Sequence, residues 1–289
     1  MRLNRFDPRN IRVGTTSGGG GGFPGGGGGK AGCGTIVIVL IAALVFGVDP
    51  AQMLGGMDQG TAPQTQQQDG AQDAETLCNS NSYALETCNA LASLNQTWEP
   101  VFRQAGVPFE DPILRFPASN NFSTGCGNGS VGMGPFYCPG DQTIYIDTGF
   151  YDQLGRMAGR GGDFARYYVV AHEYGHHIQK LTGVAAAIRS AQSQNPRAAN
   201  QLQVRMELQA DCYAGVWAGK NRNLIEPGDL EEGMRAASAI GDDALQRSAG
   251  QRINPEGFTH GTSEQRMEAL QLGLNARDDS VCDRYVQMR

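Results

Sequence analysis

Apolar positions divide the chain into stretches of different periodicity. From Ala31 to Val48 the sequence AGCGTIVIVLIAALVFGV runs for 18 residues without a charge, between Lys30 and Asp49. That length is near the minimum for a membrane-spanning helix, and no amphipathic element flanks it to bury it in a core. Residues 49–74 carry seven Gln and no β-branched or aromatic residue apart from Thr61 and Thr65, which predicts a polar linker. Beyond Glu75 the pattern changes. Residues 163–181 and 195–220 place aliphatic and aromatic side chains at helical spacing, and a third such stretch follows Thr262. MGPFYCPGDQTIYIDTGF, residues 133–150, reads as strand, turn and strand. The organisation expected is a leader over 1–34, a transmembrane anchor over 35–48, a linker over 49–74 and one folded domain over 75–289, long enough for a single core.

Composition and charge refine this division. Thirteen of the 41 glycines lie between Gly14 and Gly34, so the SGGGGGFPGGGGGK segment cannot offset glycine's ordering entropy and is expected to be flexible. The net charge of -6 splits into +4 over residues 1–34 and -10 over the remainder. An acidic body argues against a nucleic-acid partner. Basic residues before the apolar run, with no Lys or Arg after it until Arg103, orient the N-terminus to the cytoplasm and the domain to the outside. Thirty residues precede the run and Asp-Pro follows it, which favours a retained single-pass anchor in the bacterial inner membrane over a cleaved signal peptide.

Six of the seven cysteines lie beyond the run, an even number suited to an oxidising periplasmic or extracellular compartment. Close spacing favours Cys78 with Cys88 and Cys126 with Cys138, which leaves Cys212 with Cys282.

The chemistry concentrates in residues 161–183, GGDFARYYVVAHEYGHHIQKLTG, a helix that Asp163 is placed to cap and Thr182-Gly183 to end. His172, Glu173 and His176 form H-E-x-x-H within it. Residues i and i+4 sit one above the other on a helix, so two imidazoles can hold one ion, while Glu173, rotated by about 100°, reaches a metal-bound water as general base. His177 falls off that face and is expected to take a supporting or surface role. The next helical stretch puts Glu207 and Asp211 four residues apart. Glu207 is the expected third ligand, completing the two-His, one-Glu set of a catalytic Zn2+ site, and Asp211 is placed to accept an N–H from a ligand imidazole. His260 and Arg266 are the candidates for stabilising an oxyanion, with helix capping as the competing reading. The 133–150 hairpin offers either a free strand edge for an extended peptide or an ordinary disulfide-closed turn.

These residues carry a resemblance. MRLNRF, the Gly-rich stretch, the apolar run, YCPGDQTIYID, AHEYGHHIQ, MELQADCYAGVWA and FTHGTSEQR together resemble the bacterial neutral zinc metallopeptidase family, single-pass membrane proteins of the zincin type. The resemblance covers nearly the whole chain. It implies an α+β, zincin-like domain, mostly helical with a small antiparallel sheet, behind an N-terminal transmembrane helix. It also implies His172 and His176 as zinc ligands and Glu173 as base. The E-L-Q-A-D segment is similar to the Glu-x-x-x-Asp of gluzincin membrane peptidases, in which the Glu ligates. A His-Pro with a later Arg in those enzymes is similar to His260 and Arg266, although Gly261 stands where they have Pro.

The expectation is a membrane-anchored zinc metallopeptidase acting on a peptide or protein substrate. Two alternatives share the same ligands: a zinc-stabilised scaffold that does not turn over, and a zinc hydrolase acting on a cell-envelope amide.

Overall fold

The computed structural model describes residues 1–16 and 74–287. The apolar run expected to form the anchor, and the linker after it, lie outside the described residues. Among the described residues no helix is long and apolar enough to cross a membrane.

The elements in chain order are β1 (Arg12–Thr15), α1 (Ala74–Cys78), α2 (Ser82–Ala105), β2 (Ile113–Phe116), β3 (Asn121–Thr124), β4 (Gly127–Ser130), β5 (Phe136–Cys138), β6 (Thr143–Tyr145) and α3 (Phe150–Met157). There follow α4 (Asp163–Leu181), α5 (Val184–Gln194), α6 (Ala199–Lys220), α7 (Asp229–Ala239), α8 (Asp242–Ser248) and α9 (Ser263–Asn275). The fold is mostly helical with a small sheet, in keeping with an α+β class.

One core joins the helices to the sheet: Leu91, Leu94 and Trp98 of α2, Tyr168 and Tyr174 of α4, Trp217 of α6 and Leu270 and Leu274 of α9 pack with Leu114 and Ile144 of the strands. Disulfides pair Cys78 with Cys88, Cys126 with Cys138 and Cys212 with Cys282, the last fastening the C-terminal turn to α6. Such bonds persist in oxidising compartments.

The sheet corrects two expectations. It is mixed rather than antiparallel, in the order β1-β2-β6-β5, with β1 and β6 both parallel to β2 and only β5 antiparallel to β6. A separate antiparallel hairpin, β3-β4, stands beside it. Parallel pairing needs a long crossover, and β1 and β2 are separated by about a hundred residues, so no local pattern announces the pair.

The second correction concerns the leader, whose first sixteen residues belong to the folded body. Met1, Phe6 and Ile11 are buried in the core, and the backbone N–H groups of Arg2 and Phe6 donate to Leu224 O at 2.8 Å and Asn89 Oδ1 at 2.9 Å. The arginines that suggested a cytoplasmic leader have partners in the fold: Arg2 with Glu226, Arg5 with Glu75, Arg9 with Asp7 and Arg12 with Glu110. A chain that pairs residues 12–15 with 113–116 has both segments on one side of any membrane. The two segments therefore belong to one folded unit.

Candidate metal centre

Helix α4 begins one residue earlier than a cap at Asp163 requires. Gly162 is the N-cap, and Glu232 of α7 accepts from the Phe164 N–H at 3.3 Å in place of a local side chain. Asp163 instead sits in the first turn, where its charge suits the helix dipole, and faces the Met1 amino group at 3.2 Å. From there α4 packs against α6, with His172 and His176 facing Glu207.

The two ring centroids are 4.9 Å apart, and Glu207 of α6 reaches both: Oε2 is 3.1 Å from His172 Nε2 and 3.5 Å from His176 Nε2. One donor atom from each of the three lies within 4.8 Å of the others. Two imidazole nitrogens and a carboxylate oxygen, converging between α4 and α6, form a donor set whose chemistry fits zinc.

Each imidazole is oriented from behind through Nδ1. For His172 the partner is Asp211 Oδ1 at 2.7 Å, one turn beyond Glu207 on α6. Asp211 also accepts from Tyr168 Oη at 2.6 Å and from Arg266 Nε and an Arg266 terminal nitrogen at 2.8 and 2.9 Å. Burial works to raise the Asp211 pKa, but Arg266 and His172 outweigh it and hold it down at about 2. Burial likewise works to lower His172, and the charge of Asp211, with bonds to Asp211 and Glu207, lifts it instead to about 10. A dication competes with that proton for the same lone pair. Burial also opposes ionisation of Glu207, yet His176 and His260 hold it well below the carboxylate range.

For His176 the Nδ1 partner is Gln179 Oε1 at 2.9 Å, a residue the sequence reading missed although it falls three positions along the same helix.

The structure brings His172, His176, Glu207 and Asp211 together as their spacing predicts. It separates the two oxyanion candidates. Arg266 lies on the Nδ1 side of His172, spent on Asp211 and on Ile240 O, so it backs the ligand and does not face the water side. The reason is the close packing of α9 on α6, which the Cys212–Cys282 bond reinforces and no local pattern encodes. His260 stays near the ligands. Its neighbour Gly261 rests against Val204 and Leu208, on either side of Glu207, and adopts φ +88, a conformation closed to proline.

Asp242, at the start of α8, shapes this loop: its Oδ2 accepts the N–H groups of Thr259, His260 and Gly261 at 2.7, 2.7 and 3.1 Å, and Oδ1 is 3.2 Å from His260 Nδ1. Thr262 then caps α9 with Gln265 in a capping box.

His177 supports the frame. Its Nε2–H donates to Glu110 O at 2.7 Å and its Nδ1 accepts from Tyr137 Oη at 3.0 Å, joining α4 to β5 and to the loop before β2. Burial pulls its pKa down to about 4. Three tyrosine hydroxyls have partners of their own, Tyr168 with Asp211, Tyr174 with Asn95 and Tyr145 with Asp141.

A buried helix pair presenting two histidines and a glutamate to one point defines a candidate zinc hydrolase. The family described as "Putative neutral zinc metallopeptidase" matches residues 3–285, and the chain belongs to it. It is similar to the uncharacterized protein YpfJ of Escherichia coli, 41% identical over 259 residues, covering 89% of this chain and 87% of that one. It is also similar to the uncharacterized protein Rv2575 of Mycobacterium tuberculosis, 37% identical over 259 residues, covering 84% of this chain and 85% of that one. No solved structure matches it.

Proposed function

We propose that the chain is a zinc-dependent peptidase with a zincin-like body, in which α4 carries the first two ligands beside a sheet whose edge strand is β5. The observation that carries this reading is Glu173. It is only 8% exposed, it adjoins the His172, His176 and Glu207 donor set, and no hydrogen bond or ion pair among the described residues engages its carboxylate. A purely structural zinc site has no use for such a group and closes its fourth position with Cys or His.

His172, His176 and Glu207 would hold the zinc, which when bound would supply a water of lowered pKa and a Lewis acid for the scissile carbonyl. Glu173 takes the proton of the attacking water and delivers it to the leaving amine. His260 presents Nε2, which has no hydrogen-bond partner among the described residues, to the developing oxyanion, while Asp242 fixes the ring through Nδ1. The outer edge of β5 aligns an extended peptide by main-chain hydrogen bonds, which gives affinity with little sequence preference. The three disulfides point to substrates outside the cytoplasm.

The test compares the full-length protein with Glu173→Gln on an unfolded protein substrate at equal zinc content. The expected result is a loss of roughly 10²- to 10⁴-fold in kcat with zinc retained. Zinc in both proteins and cleavage by neither would overturn the peptidase reading in favour of a cell-envelope amide or a scaffold role, with cell-wall fragments the next substrate.

A further inference from the structure

We propose that Gln179 is a positioning residue that locks His176 in its metal-binding tautomer and ties it to the helix that carries Glu207. The inference rests on the metal reading of the site and is independent of whether the substrate is a peptide.

Gln179 is fully buried and makes three polar contacts. Its Nε2 faces Met206 O at 2.7 Å and Gln209 Oε1 at 3.0 Å, and its Oε1 faces His176 Nδ1 at 2.9 Å. The orientation of the amide is forced by its neighbours. Met206 O is a peptide carbonyl and can only accept, so the group against it is the NH2 end. The carbonyl end therefore meets His176, and because it too can only accept, Nδ1 must carry the proton. The lone pair is left on Nε2, the nitrogen directed at Glu207. A neutral amide thus does for His176 what the Asp211 carboxylate does for His172, without placing a second buried charge behind the site.

The same side chain spans two helices. Met206 directly precedes Glu207, so the bond from Gln179 grips the backbone of α6 next to the third ligand. A short interhelical distance makes this possible: a Cβ on Gly175 would stand 2.8 Å from Ala210 Cα, so α4 and α6 touch backbone to backbone one turn before Gln179.

An independent observation comes from Gln209, whose Nε2 is buried with no hydrogen-bond partner. Turning that amide over would set its NH2 against the NH2 of Gln179. Met206 O fixes the orientation of Gln179, and Gln209 Oε1 adds a second, outer acceptor consistent with it.

Three variants of the full-length protein test the assignment by zinc affinity, measured in competition with a chelator, and by the visible spectrum of the Co2+-substituted site. Gln179→Met keeps the volume and removes all three bonds, and is expected to weaken zinc binding roughly 10- to 100-fold and to alter the Co2+ bands. Gln179→Glu can still accept from Nδ1 but places an acceptor against Met206 O and Gln209 Oε1, and is expected to weaken zinc as well. Gln209→Leu removes only the outer partner and is expected to leave affinity within about threefold of wild type. Zinc affinity in Gln179→Met within that same range would overturn the proposal. Should the variants fail to fold, imidazole 1H–15N correlation spectra of the zinc-bound wild type read the bond directly. A protonated, slowly exchanging His176 Nδ1 is expected, and a bare Nδ1 overturns the proposal. Failure of the wild type to bind zinc would instead remove the metal reading itself.

Discussion

At the candidate metal centre, three donor atoms lie within 4.8 Å of one another, and each imidazole is fixed from behind by a single buried acceptor. The N-terminal segment, residues 1–16, is held differently. It contributes four ladder pairs to β2, three buried apolar side chains and a series of largely exposed arginine pairs, none of which decides its position alone. The contrast separates two ways of building with the same chain. A metal site concentrates its information in a few polar atoms whose removal is costly because they are buried. A docked strand spreads its information over apolar area, in which loss is graded. Chemistry should therefore fail at the first region while the fold survives, and stability should fail at the second while the chemistry of the folded fraction survives.

The largest effect that tests this separation is expected in the N-terminal segment. Phe6 is buried in the core, and Phe6→Ala should cost about 3–5 kcal/mol of stability by chemical denaturation of the full-length protein. Zinc stoichiometry of the remaining folded fraction should stay unchanged. Loss of zinc in parallel with stability would show that the two regions are one cooperative unit and break the comparison.

The pH dependence of the frame between them comes next. His177 is buried neutral, with its pKa drawn from an ordinary value of 6.5 to about 4. A depressed folded-state pKa means that the unfolded chain takes up the proton first, so the stability is complete above about pH 6.5 and is lost as pH falls toward 4. The span corresponds to about 3 kcal/mol. His177→Gln keeps a donor for Glu110 O and cannot titrate, so its stability should fall less than that of wild type between pH 7 and 4.5. Parallel curves for the two proteins would remove His177 as the source.

Legibility in the sequence follows the same division. The convergence of His172, His176, Glu207 and Asp211 could be read because the pairs 172/176 and 207/211 each lie one helical turn apart, where spacing alone fixes the face. The strand-turn-strand at 133–150 and the paired cysteines were readable for the same local reason. Gln179 was within reach of the argument that found Asp211, since it stands three residues from His176. It was passed over because a neutral amide carries no charge signal. Asp242 and the place of Arg266 were out of reach: they depend on how α8 packs on α9 and α9 on α6, which only the assembled core decides. The first sixteen residues were read as part of a leader because Arg2, Arg5, Arg9 and Arg12 precede a Gly-rich stretch and an apolar run. Their partners, Glu226, Glu75 and Glu110, lie far along the chain.

A smaller effect sharpens the metal side. Asp211→Asn retains an acceptor for His172 Nδ1 but leaves the buried Arg266 guanidinium without its counter-charge. Zinc affinity should fall roughly 10- to 100-fold. Arg266→Leu added to Asp211→Asn should recover part of the loss, because the unpaired buried charge is then gone. If the double variant binds zinc more weakly than the single one by the full effect of a second independent change, Arg266 acts on the site by some route other than Asp211.

The smallest expected effect lies where the comparison is most exposed. Arg12 and Glu110 form an ion pair at 3.0 Å between the end of β1 and the loop before β2, with side chains 45% and 55% exposed. Solvent screens such a pair, and Arg12→Ala should cost less than about 1 kcal/mol, shrinking further in high salt. Glu110 is also the residue whose carbonyl receives the His177 N–H, so the pair sits one residue's width from the frame of the metal helix. If the strand is a graded, additive attachment, Arg12→Ala and His177→Gln will sum in their effects on stability. An excess in the double variant would mean that the Glu110 backbone transmits strand docking to α4, and the two regions would then be coupled through that single peptide group.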